Sequence, residues 1–212
     1  MNNIRIFTLV LVVPLAALQA CVPAAVVGAG AAGAISYEDR RTTGTQVDDE
    51  GIELRTGNRI GERYGDKVHV NVTSFNHGVL LTGEVPDAKA KEDIEKIAAG
   101  VANVRLVTND LQVGAPSAFS ARASDSTITG KVKARFLDAG KFSPVHVKVV
   151  TEASVVYLLG IVTEAEANSA VELARTTGGV RKVVKVFEYC KPTDAACAPK
   201  QSAEEPKKKS GS

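Results

Sequence analysis

The segment 68-VHVNVTSFNHGVLLTGEV-85 decides the fold, because the chain repeats it 77 residues later as 145-VHVKVVTEASVVYLLGIV-162. At this shift, 10 of the 23 positions from 68 to 90 are identical. A long period that occurs only twice indicates a duplicated domain, since stacked-repeat arrays need several copies of a shorter unit. The sequence therefore predicts two domains of the same fold.

Each copy predicts the order helix, strand, strand, helix, strand. Valines that alternate with polar residues predict the first strand, and the turn at 76–78 leads into a second strand at 79–85. Closing strands are predicted at 104–113 and 180–189. Apolar residues at helical spacing predict the helices; they are Ile52, Ile60, Tyr64, Ala90, Ile94 and Ile97 in the first copy and Ile128, Val132, Phe136, Ala167, Val171 and Ala174 in the second. The expected fold class is α+β, with two tandem αββαβ sandwiches that each contain a small mixed three-stranded sheet and two helices.

The composition excludes several classes of protein. The 212 residues, of which 44% are hydrophobic, fit one or two small domains rather than a multi-span membrane protein or a fibre. With 26 Lys and Arg against 24 Asp and Glu, the net charge of +2 gives no indication of nucleic-acid binding. Three cysteines without a Cys-x-x-Cys pair exclude a disulfide-dense scaffold and a structural zinc finger.

The first 20 residues predict a secretory signal that ends at a cysteine. Arg5 precedes an apolar stretch, and Leu18-Gln19-Ala20-Cys21 follows it. These four residues resemble a bacterial lipobox, which implies that Cys21 carries the lipid and begins the mature chain. Several acyl chains hold a protein on a membrane far more firmly than a single chain does. Because Val22 is not acidic, we expect an outer-membrane protein that faces the periplasm; an ordinary signal peptide or a lone membrane helix is the alternative.

The motifs within the two copies resemble those of the BON domain. The hairpins end Leu-x-Gly-x-Val at 81–85 and Leu-Gly-x-Val at 159–162, and a Gly-Val-x-x-Val motif opens the last strand at 179–183. The first copy has Asn103 in place of that glycine. The stretch 39–44, Asp-Arg-Arg-Thr-Thr-Gly, looks like the lead-in of dual-BON outer-membrane lipoproteins of the division and outer-membrane-stress-associated lipid-binding type. This resemblance implies phospholipid binding, a role in outer-membrane integrity and no catalysis.

These motifs give the expected domain boundaries. The signal peptide covers 1–20, the lipidated N-terminus and flexible tether 21–47, the first BON domain 48–113, a linker 114–123, the second BON domain 124–189, and a polar tail 190–212.

The two domains carry different charge. Residues 48–113 contain 8 basic and 12 acidic side chains, whereas residues 124–189 contain 9 basic and 7 acidic ones. The resemblance implies that the first helix of the second domain contacts lipid, and from Thr127 to Leu137 this helix has three cations and no acid. The expected partner is therefore anionic phospholipid, such as phosphatidylglycerol or cardiolipin. The predicted phospholipid-binding residues are Thr127, Ile128, Lys131, Val132 and Arg135.

Deep insertion of this helix into a membrane is not expected, because Thr127 stands where related proteins can carry an aromatic residue.

A second surface suggests another role. In the second strand of the second copy, Val155, Tyr157, Leu159 and Ile161 form an apolar face where the first copy has more polar residues. A soluble domain seldom leaves such a face uncovered. We expect it to pack against the first domain or to recruit a protein of the envelope or the division machinery. The second possibility is the alternative function, that of a protein-interaction module.

Catalytic, metal and cofactor sites are not predicted. His69 and His146 hold equivalent strand positions in separate domains and are expected to face outward, without acidic neighbours that would complete a metal site. The run 48–50, Asp-Asp-Glu, is expected to mark a helix N-terminus rather than a calcium site. The motif G-x-G-x-x-G at 28–33 has no strand before it, so no nucleotide cofactor is expected.

The remaining two cysteines lie close together near the C-terminus. Once Cys21 is assigned to lipid, Cys190 and Cys197 are left, and an oxidising periplasm favours a disulfide between them. The tail beyond them is rich in Lys, Ser, Pro and Glu, and its three lysines at 207–209 are interpreted as solubilising charge.

Overall fold

The computed structural model describes residues 39–198. The signal peptide, Cys21, the motif at 28–33 and the lysines at 207–209 lie outside this range. Within it, no helix is both long and apolar enough to cross a membrane.

Two αββαβ units follow one another along the chain. The elements of the first are α1 (Thr43–Tyr64), β1 (His69–Phe75), β2 (Gly78–Val85), α2 (Ala88–Ala99), β3 (Leu106–Asn109) and β4 (Gln112–Val113). Those of the second are α3 (Phe119–Ala139), β5 (Lys148–Glu152), β6 (Val155–Val162), α4 (Glu164–Arg175) and β7 (Lys182–Tyr189). The expected α+β fold with two mixed sheets is confirmed.

In each sheet the hairpin strands are antiparallel and the closing strand is parallel to the second one. The orders are β1-β2-β3, with β4 also pairing with β2, and β5-β6-β7. The closing strand predicted at 104–113 is interrupted, because the Asn109 side chain accepts a hydrogen bond from the Leu111 amide and turns the chain. This turn places Leu111 in the core, where it has no solvent exposure.

The glycine in each hairpin motif allows the two strands to approach closely. A Cβ atom on Gly83 would lie 2.1 Å from the carbonyl oxygen of His69, and one on Gly160 would lie 2.3 Å from that of His146. Gly83 also has a φ of +114°, in the region that favours glycine. The two motifs therefore keep glycine because any side chain would push β2 and β6 away from the start of the neighbouring strand.

An aspartate from the opening helix supports each hairpin turn. Asn76 and His77 have φ values of 50° and 65°, so their amides point towards α1. The carboxylate of Asp49 accepts hydrogen bonds from both amides at 2.8 Å. In the second unit, Asp125 accepts from the equivalent turn amides of 153 and 154 at 2.9 and 2.8 Å.

This finding corrects the interpretation of the acidic run 48–50. Helix α1 begins five residues earlier than its first acid, at Thr43, with Thr42 as its N-cap. Asp49 therefore lies in the second turn, is 2% exposed, and faces the hairpin instead of the helix end. Hydrogen bonds from the His77 and Asn76 amides, Ser74 and Arg41 lower its pKa, although burial alone would raise it.

Each unit has its own apolar core between its helices and one face of its sheet. The first core includes Ile52, Ile60, Val79, Leu81, Val85, Ile94 and Leu111, and the second includes Ile128, Val132, Phe136, Val156, Leu158 and Val162. A third cluster joins the two units. It contains Phe75 and Leu80 from the first sheet and Tyr157 and Leu159 from the second. The two sheets thus pack face to face, with the helices on the outside.

Candidate functional site

Helix α3 presents one side to the core of the second unit and the opposite side to solvent. Its buried residues are Asp125, Ile128, Val132 and Phe136, at the spacing of one helical face. The opposite face is lined by Phe119, Ala123, Gly130, Ala134 and Leu137, all of which are exposed. We call these five residues, together with Lys131 and Lys133, the outer face of α3.

The structure divides the predicted lipid-binding residues into two groups. Thr127 and Lys131 are exposed, and the Thr127 hydroxyl donates a hydrogen bond to the carbonyl of Ala123 at 3.0 Å. Ile128 and Val132 are 4% and 0% exposed, because they fill the core beneath the helix. Direct contact between these two side chains and lipid would require the core to open, so they position the helix instead.

Arg135, which was predicted to bind phospholipid, instead contacts another helix of its own domain. Its guanidinium donates to the carbonyl of Leu173 at 2.7 Å and to the hydroxyls of Thr176 and Thr177 at 2.9 and 3.0 Å. These acceptors lie at the C-terminal end of α4, where a cation satisfies carbonyls that have no helical partner. Arg135 therefore fastens α3 to α4, and its charge is already paired with this helix end.

Two large apolar residues on the outer face were missed by the sequence analysis. Phe119 is 80% exposed and Leu137 is 68% exposed. They are 18 residues apart, which is five helical turns, so they lie on the same side of α3 about 27 Å apart along its axis. Phe119 was missed because the second domain was expected to begin at residue 124, whereas α3 begins at Phe119.

The outer face is positively charged. Lys131 and Lys133 are exposed and stand on either side of the line from Phe119 to Leu137. Between residues 119 and 137 the only acidic residue is Asp125, which is 6% exposed and is used by the hairpin turn. Cations beside exposed apolar side chains are the combination found on helices that lie in a membrane interface.

The apolar face of the second sheet is covered by the first unit. Tyr157 and Leu159 are 3% and 2% exposed and pack against Phe75 and Leu80, and Val155 and Ile161 pack at the edge of the same cluster. The Tyr157 hydroxyl donates to Asp110 at 2.7 Å. Burial and this bond raise the pKa of Tyr157. The surface assigned to the alternative function is therefore an interdomain contact.

The lead-in segment joins the two units as well. Arg40 donates to the Ile161 carbonyl at 2.8 Å and forms a two-pronged ion pair with Glu166 at 2.7 and 3.0 Å. Glu166 also completes the capping box of α4 with Thr163. Burial alone would raise the pKa of Glu166, but these hydrogen bonds lower it to about 2. Residues 39–47, which were expected to be part of a flexible tether, are thus held against the folded units.

Arg41 is held against the first unit. It pairs with Asp39 and with Asp49, at 2.8 and 2.9 Å, and its guanidinium stacks 4.2 Å from the centre of the Phe75 ring. The lead-in motif therefore has a structural use, which is to connect α1, the hairpin of the first unit and the start of α4.

The expectation that His69 faces away from any acid is wrong. His69 is directly opposite Glu84 in the β1–β2 ladder, and its Nε2 atom lies 3.8 Å from Oε1 of Glu152, in the other unit. His146 is likewise close to an acid, since its Nδ1 atom lies 3.4 Å from Glu166. Sequence periodicity placed His69 on the correct face of its strand, but it could not reveal that the two sheets pack together through that face. The strand position expected for His146 is wrong, because His146 ends a short 3-10 helix, Pro144–His146, just before β5.

The cysteines near the C-terminus are joined in the structure. Cys190 and Cys197 form a disulfide, with their Cα atoms 6.1 Å apart. The bridge follows β7 directly, and the Cys190 amide donates to the Val162 carbonyl on β6. It therefore closes a short loop against the end of the second sheet.

Comparison with known proteins gives one family match and several relatives. A model of the BON domain matches residues 48–115 and 124–191. The outer membrane lipoprotein DolP of Haemophilus influenzae is 41% identical over 174 residues, which are 81% of this chain and 90% of that protein. A 21 kDa hemolysin of Actinobacillus pleuropneumoniae is 35% identical over 71% of this chain and 79% of that protein. Osmotically-inducible protein Y of Escherichia coli is 29% identical over 66% of this chain and 72% of that protein.

Proposed function

Because the chain belongs to the BON-domain family, as a dual-BON lipoprotein of the DolP type, we propose that it binds anionic phospholipid through the outer face of α3. The protein is an outer-membrane lipoprotein. BON domains form a non-enzymatic family, so the proposed role is binding in support of outer-membrane integrity. We propose Cys21 as the site of the lipid anchor.

One observation carries the proposal. Outside its two terminal turns, α3 exposes cations and no acids, while Phe119 and Leu137 extend from the same face into solvent. Each cation near an anionic bilayer contributes about 1 kcal/mol of binding. Partial burial of a large apolar side chain contributes a similar amount, about 1 kcal/mol, since full burial is worth about 1.5–3 kcal/mol. Together these groups support reversible docking in addition to the lipid anchor.

The structure changes how this docking is expected to work. Thr127 lacks an aromatic ring, which argued against insertion, but Phe119 supplies one two turns nearer the N-terminus of α3. The proposed lipid contacts are therefore Phe119, Thr127, Lys131, Lys133 and Leu137. Ile128, Val132 and Arg135 hold the helix in place beneath them.

Vesicle sedimentation tests the electrostatic part of the proposal. The fragment 37–212, which contains all the described residues, is expected to pellet with phosphatidylglycerol or cardiolipin vesicles and not with phosphatidylcholine vesicles. Lys131→Glu with Lys133→Glu should weaken binding by about 30-fold or more, because each reversal replaces attraction by repulsion.

The matched control lies in the first domain. Lys89→Glu with Lys96→Glu changes the net charge equally, on exposed positions of α2. This control should bind within about twofold of the wild type. Equal loss in both double variants would show that only net charge matters and would refute the assignment to α3. No pelleting of the wild type at low salt would refute phospholipid docking itself.

A further inference from the structure

Three side chains with metal-binding donors meet at the junction of the two domains. His69 lies on β1, Glu84 lies opposite it on β2, and Glu152 ends β5 in the second domain. One ligand atom from each lies within 4.8 Å of the other two. Lipid docking on α3 does not involve these residues, so the cluster is independent of the proposed function.

Glu152 is buried, and its close basic neighbour is the imidazole of His69. Its side chain is 7% exposed, and its Oε2 atom accepts a hydrogen bond from Asn71 at 2.6 Å. Among residues 39–198, no hydrogen bond reaches the other oxygen, Oε1, which faces the His69 ring at 3.8 Å. An ionised carboxylate in such a place is unfavourable unless a cation joins it.

The other two donors each have a ligand atom near the same point, where Nε2 of His69 also lies 3.4 Å from the Asn71 amide nitrogen. Glu84 is held by the Ser117 amide, which donates to its Oε2 atom at 3.0 Å. The other ring nitrogen of His69, Nδ1, lies 3.5 Å from the Arg122 guanidinium. A cavity of about 220 Å³ opens beside the cluster and gives access from solvent. Its lining residues are His69, Asn71, Arg122, Asp125, Ser126, Thr129, Thr151 and Glu152.

We propose that His69, Glu84 and Glu152 bind a divalent transition-metal ion, with Zn²⁺ as the ion that fits these donors best, and that this ion links the two domains. Zn²⁺ binds both imidazole nitrogen and carboxylate oxygen, and a site with three protein ligands leaves a fourth position open, here towards the cavity. Ligand atoms around tetrahedral Zn²⁺ lie about 3.4 Å apart, so the donors need to approach each other by about 1 Å. Glu84 and His69 belong to one domain and Glu152 to the other, so binding stabilises their contact.

Arg122 lies beside the proposed metal site and affects how a cation binds there. If Nε2 of His69 binds the metal, Nδ1 carries the proton and can no longer accept from Arg122. Arg122 is exposed and can turn away, but its positive charge opposes the ion. Arg122→Ala should therefore increase the affinity for Zn²⁺, by about three- to tenfold, a result that a merely structural cluster would not produce.

Titration calorimetry of the full-length chain in detergent micelles, purified without a histidine tag and stripped with chelator, tests the site. We expect one equivalent of Zn²⁺ to bind with micromolar or better affinity and to raise the thermal unfolding temperature. His69→Ala, Glu84→Gln and Glu152→Gln should each weaken binding at least tenfold. His146→Ala, which removes the equivalent histidine of the second domain, should leave the affinity unchanged.

Circular dichroism shows whether each variant is folded, and so separates loss of the site from loss of the fold. Glu152→Gln is expected to fold, because it keeps the size of the side chain and its bond to Asn71. The proposal is overturned if the wild type binds no Zn²⁺, or if all three variants are folded and bind it as the wild type does. Binding that is lost equally in His146→Ala would also overturn it, since the ion would then occupy another place.

Discussion

At the scale of the residue, two buried carboxylates explain how the hairpin turns are held, which the sequence pattern did not show. Asp49 and Asp125 are separated by 76 residues and do the same work, accepting hydrogen bonds from the amides of a hairpin turn. Acids inside a helix are not usually expected to be buried, which is why the run at 48–50 was interpreted as a helix start. The hairpin turn supplies the partners that make burial of these charges favourable.

Removal of one turn-capping carboxylate should destabilise the protein strongly. Asp125→Ala leaves the amides of residues 153 and 154 without an acceptor and should lower the free energy of unfolding by about 2–4 kcal/mol. Asp138→Ala, at an exposed position of the same helix, is the control and should change it by less than about 0.5 kcal/mol. Urea unfolding followed by circular dichroism measures both. Similar midpoints for the two variants would contradict the capping role.

Glu166 predicts how stability depends on pH. Its pKa is lowered from 4.5 to about 2, so it stabilises the folded state above about pH 4.5, and this contribution is lost as the pH falls towards 2. Glu166→Gln should therefore cost about 2–3 kcal/mol at pH 7 and about half as much at pH 3. Unfolding curves at the two pH values check this, with Glu164→Gln, exposed in the same helical turn, as the control. A loss that is the same at both pH values would count against the ion pair with Arg40.

At the scale of the element, α3 combines a structural side and a free side. The inner side was predictable from the spacing of Ile128, Val132 and Phe136. The start of the helix was not, because residues 118–126 contain mainly Ala and Ser and carry no apolar period. Because the start of the helix was not predicted, Phe119 was not recognised as an apolar residue of the outer face. Arg135 was misplaced for a different reason, since its acceptors belong to α4, 38 or more residues away in sequence.

The exposed apolar residues of α3 should contribute to membrane binding apart from charge. Phe119→Ser with Leu137→Ser should weaken binding to phosphatidylglycerol vesicles by about tenfold or more, and the loss should persist in high salt, where electrostatic attraction is screened. Val47→Ser with Leu54→Ser, at exposed positions of α1, is the matched control. Sedimentation at two salt concentrations measures the effect. If the Phe119 and Leu137 double variant binds as tightly as the Val47 and Leu54 control, docking is electrostatic only.

At the scale of the whole molecule, the two domains share a buried face. The sequence predicted the duplicated fold because each copy repeats the same strand and glycine pattern. It also showed that Val155, Tyr157, Leu159 and Ile161 form an apolar face that another surface should bury. It did not show which surface does so, since packing between two sheets leaves no signal in local periodicity. The structure assigns the cover to Phe75 and Leu80 of the first domain. The contact between Glu152 and His69 of the other domain could not be predicted for the same reason.

This shared face predicts that the domains unfold together. Leu80 belongs to the interdomain cluster and not to the core of its own domain, so Leu80→Asp should break the contact while leaving each domain folded. We expect one cooperative transition in the wild type and two separate ones, or a loss of about 3 kcal/mol or more, in the variant. Calorimetry checks this, with the exposed Leu54→Asp as control. If Leu80→Asp unfolds in the same single transition as the wild type, the packing of the two sheets against each other would be contradicted.

The central claim, that α3 is the surface that meets the membrane, is tested most directly by a probe on each domain. Gly130 on α3 and Gly57 on α1 are both exposed, and a side chain at either place meets no neighbour within 4 Å. An environment-sensitive fluorophore at position 130 of fragment 37–212 should shift to shorter wavelength when phosphatidylglycerol vesicles are added, whereas the same fluorophore at 57 should not. A shift at 57 without a shift at 130 would contradict the account.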